Sequence, residues 1–194
     1  MKDISYALGL SIASNLKNSG VEALDIEHFT QGLNAIINNE EIRMSPDQVN
    51  QILNEFFEGM QKKAEGNNSE TGKAFLAENK NKPGVTETAS GLQYQVITEG
   101  TSPKPTAKNQ VKVHYTGTLI DGTVFDSSVS RGEPATFGVT QVISGWVEGL
   151  QLMPKGSKYK FFIPSNLAYG AQGAGKAIGP NATLIFEVEL LDIF

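Results

Sequence analysis

The sequence predicts an α+β protein in which an N-terminal all-helical region precedes an antiparallel sheet wrapped on one short helix. Apolar residues recur at helical spacing within residues 1–65. After residue 90 they alternate in short runs, which is typical of half-buried strands. The strand–helix–strand alternation of a parallel sheet does not occur along the chain, so the two kinds of element are predicted to lie in separate regions.

The first predicted helix carries a row of large apolar residues beside a row of small ones. A row of small residues lets another helix approach closely. That helix could belong to the same chain or to a second copy, and the pattern fits both alternatives. The large residues are Ile4, Leu8, Ile12 and Leu16, and the small ones are Ser5, Gly9 and Ala13.

Two further helices have recognisable start signals. Asp25 is a suitable N-cap for the second helix. The third helix has the clearest start in the chain, with Ser45 as N-cap, Pro46 at the first helical position and Gln48 completing a capping box. The three helices together offer few large apolar groups, and a region this small is marginally stable alone. A homodimer through these helices would supply the missing burial.

The charge distribution also separates two regions. Residues 1–88 carry 8 basic and 13 acidic side chains, and residues 89–194 carry 8 of each, so the first region accounts for the whole net charge of −5. An acidic chain lacks the basic footprint that phosphate-backbone binding needs, and we expect no nucleic-acid partner. The chain has no cysteine, which excludes disulfides, thiolate metal sites and cysteine nucleophiles.

Residues 66–90 are predicted to connect a helical domain of residues 1–65 with a second domain of residues 91–194. Gly66 and Gly72 are poor interior helix residues, so the sequence leaves open whether this connector is a rigid helix or a hinge.

The second domain is predicted as a sheet with one short helix. Asp121-Gly122 lies between two apolar runs, which is the standard signal of a β-hairpin. Residues 143–153 form the only helix-like run, and two glycines keep it short. Alternating apolar residues predict strands over residues 92–98, 111–119, 158–163 and 183–194.

The histidines give little support for acid–base or metal chemistry. His28 and His114 lie far apart in the sequence, and His114 is interpreted as a solvated strand residue. Neither metal-ligand spacing nor a nucleophile elbow occurs. We therefore expect no metal and no cofactor.

A glycine-rich segment resembles part of a phosphate-binding loop. Residues 170–176 fit its first seven positions, but Ala177 lacks the hydroxyl that would hold Mg²⁺. Pro180 follows closely and blocks the helix whose N-terminus would cradle phosphates. A flexible glycine loop beside a pocket is the favoured interpretation, with nucleotide binding as the alternative.

The second domain is rich in aromatic residues, although its sequence shows no recognisable nucleophile, acid–base pair or metal site. Trp146 stands at the start of the short helix, where it can form the floor of a cavity against a curved sheet. Several motifs then occur in the order found in FKBP-type peptidyl-prolyl cis/trans isomerases, which residues 90–194 resemble. They lie at residues 113–117, 121–128, 141–146, 167–170 and 178–191.

The first region resembles the helical dimerisation part of bacterial Mip-like (macrophage-infectivity-potentiator-like) and FKBP22-like proteins. The resemblance implies an FKBP-type sheet and a peptidyl-prolyl isomerase that assists the folding of protein clients, with chaperone activity as a homodimer. The implied partners are proline-containing peptides, unfolded protein clients and macrolides of the tacrolimus and rapamycin type. A binding module or chaperone with the same shape and little isomerase activity is the alternative.

The resemblance also implies a proline pocket. Ala135 stands where small family members often have a phenylalanine, which leaves one side of the pocket more open. The catalytic residues carried over are Tyr115, Phe125, Asp126, Trp146 and Tyr169. The substrate-binding residues are Phe137, Val142, Ile143, Ile178 and Phe186.

The sequence carries no clear targeting signal. The apolar run over residues 4–13 is interrupted by polar residues, and no small-residue cleavage site follows it. No stretch approaches the ~20 apolar residues of a membrane span. We therefore expect a cytoplasmic protein, or a periplasmic one if the chain is a trimmed mature form.

Overall fold

The N-terminal part of the chain is helical, as predicted. The computed structural model describes residues 1–21, 23–101 and 103–194. It comprises two compact units, unit 1 (Met1–Lys62) and unit 2 (Lys63–Phe194). The helices that begin in unit 1 are α1 (Lys2–Asn18), α2 (Ile26–Ile37) and α3 (Pro46–Asn79), the last of which ends in unit 2.

The predicted start signals of α2 and α3 are confirmed. The Asp25 side chain accepts a hydrogen bond from the backbone N–H of His28 at 3.1 Å. Ser45 and Gln48 form the capping box reciprocally. The Gln48 N–H donates to the Ser45 hydroxyl at 3.3 Å, and the Ser45 N–H donates to the Gln48 side-chain oxygen at 2.9 Å. Two otherwise unpaired donors at the start of α3 are thereby satisfied.

Unit 1 does not enclose a core of its own. None of its described residues is buried, and large apolar side chains such as Ile37 (71% exposed) and Phe57 (44% exposed) face outward. A cavity of about 480 Å³ lies between α1 and α2, with apolar walls and the small residues Ser5, Gly9 and Ala13 among its lining. None of the helices that the structure describes is long and apolar enough to cross a membrane.

The predicted connector contains the end of α3 and a short strand. The helix continues through Gly66 and Gly72 to Asn79 despite their low helix propensity. β1 (Val85–Glu87) follows and pairs with the next strand. The sequence did not reveal β1, because three residues are too few to show alternation.

Unit 2 contains an antiparallel sheet, as predicted, with two further short segments that the sequence did not reveal. The elements that follow β1 are β2 (Gln93–Thr98), β3 (Gln110–Leu119), β4 (Val124–Ser127), α4 (Ser128–Arg131), β5 (Ala135–Gly138), α5 (Ser144–Leu150), β6 (Lys158–Ile163) and β7 (Leu184–Ile193), with 3-10 turns at Ser165–Leu167 and Gly170–Gln172 between β6 and β7. The strands run in the order β1-β2-β6-β7-β3-β4, and β5 pairs with the other end of β3. The short helix α4 lies between β4 and β5, and α5 follows β5.

The core of unit 2 lies where α5 packs against the sheet, and close contact depends on two glycines. A methyl group added at Gly145 would lie 2.5 Å from Cγ2 of Ile163, and one at Gly149 would lie 2.7 Å from the Phe161 ring. Both glycines therefore let the helix backbone approach β6, in addition to keeping α5 short. Trp146, on the same helix, is held at a fixed depth by this packing.

Candidate active site

A cavity of about 730 Å³ opens beside α5, and all ten residues predicted for the proline pocket line it. They are brought together from four strands, the start of α5 and one loop, which are distant in sequence. β3 supplies Tyr115, β4 supplies Phe125 and Asp126, β5 supplies Phe137 and β7 supplies Phe186; Val142, Ile143 and Trp146 lie at the start of α5, and Tyr169 and Ile178 lie in the loop between β6 and β7.

Trp146 forms the buried centre of an aromatic cluster. Its ring meets those of Tyr115 at 5.3 Å and 89°, Phe186 at 5.1 Å and 82°, and Phe137 at 5.8 Å and 88°. Aromatic rings prefer such edge-to-face contacts, each worth roughly 0.5–1.5 kcal/mol beyond area burial. The buried Trp146 indole N–H has no hydrogen-bond partner among the described residues. The floor of the cavity is therefore stiff and apolar.

Gly117 is a structural requirement of this cavity that the sequence analysis did not single out. A methyl group at Gly117 would lie 2.6 Å from the Phe125 ring and 2.7 Å from the Phe186 ring. Those two rings lie 5.4 Å apart in an edge-to-face arrangement over the glycine. Its place in a motif was visible in the sequence, but its role becomes visible only when β4 and β7 are paired with β3.

Asp126 is held by two neighbours at the edge of the cavity. The Tyr115 hydroxyl donates to one carboxylate oxygen at 2.5 Å, and Arg131 pairs with the other. Arg131 also donates to the Tyr115 hydroxyl at 3.0 Å, which closes a triangle. Desolvation alone would raise the pKa of Asp126, but the hydrogen bonds from Tyr115 and Arg131 outweigh it and lower the pKa. Asp126 is therefore an ionised, oriented carboxylate at neutral pH.

The interpretation of His114 as a solvated residue is wrong. His114 is half-buried, and its Nδ1 atom lies 3.1 Å from the hydroxyl of the fully buried Ser128. The same hydroxyl accepts the backbone N–H of Tyr115 at 2.8 Å. Ser128 thus ties α4 to the backbone of β3 at Tyr115, a link between residues 13 positions apart that sequence spacing did not indicate.

Two hydrogen-bonding groups at the cavity have no partner among the described residues: the backbone N–H of Ile143 and the hydroxyl of Tyr169. The Ile143 N–H precedes α5 and lies outside its internal hydrogen bonds. Tyr169 is 41% exposed. An apolar cavity with a few free polar groups at its rim suits a ligand that combines an apolar ring with an amide.

The glycine-rich segment lies beside this cavity, as the favoured interpretation predicted. Ala174 and Ile178 face each other through two backbone hydrogen bonds of 2.8 and 3.1 Å. Ala174, Gly175 and Ala177 line the cavity, as does Gln141, and none of the four was predicted. The described residues of this segment contain a single 3-10 turn (Gly170–Gln172) and no α-helix begins among them, so the α-helix N-terminus that nucleotide binding would require is absent from it.

The fold and the composition of this cavity define a class of protein. A family model described as FKBP-type peptidyl-prolyl cis-trans isomerase matches residues 101–191. A second, described as the domain amino terminal to FKBP-type peptidyl-prolyl isomerase, matches residues 1–96. The chain belongs to the FKBP-type peptidyl-prolyl cis-trans isomerase family, and it is an enzyme that accelerates rotation about Xaa-Pro peptide bonds.

Named relatives cover nearly the whole chain. A probable FKBP-type isomerase named FkpA from Neisseria meningitidis is 46% identical over 203 residues, covering 100% of this chain and 74% of the relative. The FKBP-type 22 kDa isomerase of Escherichia coli is 46% identical over 192 residues, covering 97% and 93%. The crystal structure of FkpA from Escherichia coli matches with a TM-score of 0.74 and 36% identity, covering 98% of this chain and 95% of that chain.

The comparisons also overturn the expected cytoplasmic location. A relative from Legionella longbeachae that is 43% identical over 198 residues, covering 98% of this chain and 84% of the relative, is named outer membrane protein MIP. The expectation was based on the absence of a targeting signal at the start of the sequence, and that absence is not informative about the compartment.

Proposed function

We propose that the cavity over Trp146 binds the prolyl ring of the substrate and is the catalytic site. The observation that carries this proposal is the convergence of ten predicted residues on one apolar cavity around a buried tryptophan. In this assignment Tyr115, Phe125, Asp126, Trp146 and Tyr169 are catalytic. The residues that enclose or hold the peptide are Phe137, Val142, Ile143, Ile178 and Phe186.

Catalysis at such a cavity follows from the electronics of the peptide bond. The barrier to rotation is about 20 kcal/mol because the C–N bond has partial double-bond character. That character places negative charge on the carbonyl oxygen, which water stabilises. An apolar cavity removes this stabilisation from the planar ground state more than from the twisted state, which has lost conjugation. The barrier is therefore lowered without a nucleophile or a proton transfer.

The polar rim orients the peptide for this rotation. The free N–H of Ile143 and the free hydroxyl of Tyr169 donate to peptide carbonyl groups on either side of the prolyl ring. Asp126, fixed by Tyr115 and Arg131, presents a negative charge at the edge of the cavity, where it polarises the twisted carbonyl group. These contacts position a substrate whose ring is already enclosed.

A protease-free assay of cis-to-trans isomerisation of short Xaa-Pro peptides tests this assignment. Trp146→Leu should lower kcat/KM by about tenfold or more, because edge-to-face contacts worth roughly 0.5–1.5 kcal/mol each are lost around the cavity floor. Tyr169→Phe, which removes one hydroxyl from a side chain with 41% of its surface exposed, should lower kcat/KM by about 2- to 10-fold, the worth of one hydrogen bond.

Tyr6→Phe is the matched control for the hydroxyl deletion. Tyr6 lies in unit 1 with 70% of its surface exposed, and its variant should retain the wild-type rate. If folded Trp146→Leu and Tyr169→Phe enzymes both isomerise peptides at the wild-type rate, the cavity is not the catalytic site.

The same cavity is proposed to bind macrolides of the tacrolimus and rapamycin type. Its volume of about 730 Å³ lies within the roughly 300–1,000 Å³ of small-molecule sites. Rapamycin should inhibit isomerisation competitively with peptide. Ala135→Phe, which adds an aromatic ring at the predicted open side of the pocket, should tighten rapamycin binding. Unchanged affinity of that variant would show that residue 135 does not contribute to the macrolide site.

Unit 1 is proposed to form a homodimer. Its described residues include no buried core, and the walls of the cavity between α1 and α2 are apolar, with a row of small residues among them. A second copy is the occupant that would bury these surfaces. Two catalytic sites in one dimer could then hold one unfolded client with avidity, which would add chaperone activity to the isomerase activity.

Sedimentation over a range of protein concentrations tests the dimer. Ile37→Asp places a charge in the apolar cavity between α1 and α2, and it should shift the protein to monomers. Asn34→Asp adds the same charge to α2 at an exposed polar residue outside that cavity and should remain dimeric. The Ile37→Asp monomer should isomerise short peptides at the wild-type rate but suppress client aggregation less well. A wild-type protein that sediments as a monomer at micromolar concentration would contradict the dimer.

A further inference from the structure

The loop that closes one side of the catalytic cavity has a second face, away from the cavity. We call residues 173–183 the site loop. Its first part lines the cavity through Ala174, Gly175, Ala177 and Ile178. Its second part, residues 179–183, lies against the end of α3 within unit 2. The helix therefore touches the loop directly behind the residues that face the cavity.

A hydrogen bond joins the two elements across 112 positions of sequence. The side-chain amide of Asn68 donates to the backbone carbonyl of Pro180 at 2.8 Å. This carbonyl has no other hydrogen-bond donor among the described residues. The amide also lies 3.1 Å from the position that a Cβ atom on Gly179 would take, so the contact is close along two successive loop residues.

A glycine in α3 provides a second contact one helical turn further on. Gly72 is buried, and a methyl group there would overlap the hydroxyl of the buried Thr183 and lie 3.3 Å from its Cβ atom. In a helix interior glycine is disfavoured by roughly 1 kcal/mol relative to alanine. Direct contact between the helix backbone and the end of the site loop explains why glycine suits this position.

The conformation of the site loop depends on contacts of this kind. Asn181 has a φ of 55°, a left-handed conformation that is sparsely populated by residues other than glycine. Its backbone N–H donates to the carbonyl of Gly170 at 2.8 Å, which anchors the loop from the other side. With Asn68 on one side and Gly170 on the other, the loop is held between the helix and the turn that follows Tyr169.

We propose that the end of α3, through Asn68 and Gly72, positions the site loop and thereby fixes Ile178 in the wall of the prolyl pocket. This inference rests on the assignment of the cavity as the catalytic site. Asn68 and Gly72 touch neither the cavity nor its substrate, and act through residues 178–183 as positioning residues. A stiff helix behind a loop preorganises the groups on its opposite face and lowers the ordering cost of substrate binding.

The first experiment compares Asn68 with its neighbour Asn67 in the full-length protein. Asn68→Ala and Asn68→Asp both remove the amide donor, and the second keeps the shape of the side chain. Asn67 is exposed on the same helix, so Asn67→Ala and Asn67→Asp are matched controls. Affinity for a prolyl peptide can be followed by fluorescence, since Trp146 is the only tryptophan in the chain.

Both Asn68 variants should bind the peptide about 2- to 10-fold more weakly, corresponding to one net hydrogen bond. Their kcat at saturating peptide should fall less than their affinity, because the catalytic groups remain in place. Amide exchange at Ile178 should become faster, while exchange in the strands stays unchanged. Equal affinity and equal Ile178 exchange in folded Asn68 and Asn67 variants would overturn the inference.

The second experiment uses glycines of α3. Gly72→Ala should weaken peptide binding by separating the helix from Thr183, and Gly72→Ala combined with Thr183→Ala should recover most of the loss, since the overlapping hydroxyl is gone. Gly66→Ala, with nothing within 4 Å of the added methyl group, should bind peptide normally. If Gly72→Ala binds peptide as well as Gly66→Ala does, the contact has no positioning role.

Failure of this inference is distinguishable from failure of the catalytic assignment. If Trp146→Leu lowers kcat/KM as expected while the Asn68 and Gly72 variants match their controls, the cavity is catalytic and α3 does not position it. If folded Trp146→Leu retains full activity, the cavity assignment itself fails, and the positioning inference fails with it.

Discussion

The two units of this isomerase solve the problem of burying apolar surface in different ways. Unit 2 encloses a core in which Val113, Leu150 and Phe161 are completely inaccessible to solvent. Unit 1 contains a comparable run of aliphatic and aromatic residues, but none of its described residues is buried. A β-sheet that curves around a helix can close its own core, whereas helices with a single apolar face need another surface to pack on.

This difference indicates where stability and assembly are located in the sequence. Deleting an apolar group from unit 2 should leave a cavity in a closed core and reduce its stability directly. Deleting a similar group from unit 1 should act on the association of two copies. Stability measured at several protein concentrations separates the two effects, because a dimer gains stability with concentration and a closed domain does not.

Paired phenylalanine-to-alanine substitutions should produce the largest difference in stability between the two units. Phe161→Ala, at a residue with 0% exposure in β6, should lower the free energy of unfolding of unit 2 by about 3–5 kcal/mol, the range for large-to-small changes in closed cores. Phe57→Ala, at a residue with 44% exposure, should leave the unfolding of unit 2 unchanged and weaken the dimer. Urea unfolding followed through Trp146 fluorescence measures the first effect, and sedimentation measures the second.

The outcome that would break the comparison is a loss of unit 2 stability in Phe57→Ala equal to that in Phe161→Ala at every protein concentration. Such a result would mean that unit 1 contributes to the same cooperative core as unit 2. A concentration-dependent loss in Phe57→Ala alone would sharpen the comparison, since it would identify this side chain as part of the interface between copies.

The features that the sequence predicted well depend on residues close together in the chain. The capping box needs Ser45 and Gln48, three positions apart, and its hydrogen bonds form as expected. The hairpin after β3 needs Asp121-Gly122, and Gly122 adopts a φ of 87° in the turn. The fold class and the isomerase activity followed from ordered motifs, since each motif occupies a continuous segment that a resemblance can detect.

The features that the sequence did not predict depend on contacts between distant residues. The low helix propensity of Gly72 left the end of α3 undecided in the sequence, although the helix continues to Asn79. The close contact of Gly72 with Thr183 favours glycine there, and a contact between residues so far apart is not visible in the sequence. The link from His114 to Ser128 crosses from β3 to α4. Short segments such as β1 are defined by the strands they pair with. Tertiary contacts override local preference at these positions, and a single sequence does not record them.

Paired glycine substitutions should give the next largest contrast. Gly145→Ala would place a methyl group 2.5 Å from Cγ2 of Ile163, and overpacking of this kind costs about 1–3 kcal/mol. It should also lower isomerase activity, because the neighbouring Trp146 would move with the helix. Gly9→Ala in α1 meets nothing within 4 Å in one copy, and helix propensity alone would make it stabilising by about 1 kcal/mol.

The proposed dimer reverses the expectation for Gly9. Gly9 lines the cavity between α1 and α2, so an added methyl group should obstruct the second copy and raise the dimer dissociation constant. Sedimentation of Gly9→Ala against wild type measures this effect. A Gly9→Ala protein that is more stable and equally dimeric would show that the row of small residues does not lie in the interface.

Paired serine-to-alanine substitutions extend the comparison of the two units to polar groups. Ser128→Ala would leave the buried N–H of Tyr115 without the hydroxyl that accepts it at 2.8 Å, which should cost about 1–3 kcal/mol. Ser19→Ala in unit 1 removes an exposed bond to the Asn15 carbonyl, and surface changes of this kind usually stay within about 0.5 kcal/mol. Thermal unfolding of both variants checks the difference, and equal losses would show that burial of the serine is not what matters.

The pH dependence of Asp126 should give the smallest effect, because Asp126 and Arg131 are both more than one-third exposed. Desolvation raises the pKa of Asp126, but hydrogen bonds from Tyr115 and Arg131 lower it further, to below the ordinary value of 3.8. The ionised carboxylate therefore stabilises the folded state above pH 3.8, and this contribution is lost as the pH falls through the lower folded value. The melting temperatures of wild type and Asp126→Asn should differ by a constant amount between about pH 5 and pH 8 and converge below pH 3.8.

The ratio of the wild-type isomerase rate to the Asp126→Asn rate should likewise stay constant over the neutral range, because Asp126 does not titrate there. A ratio that changes between pH 6 and pH 8 would contradict the assignment of Asp126 as a permanently ionised carboxylate.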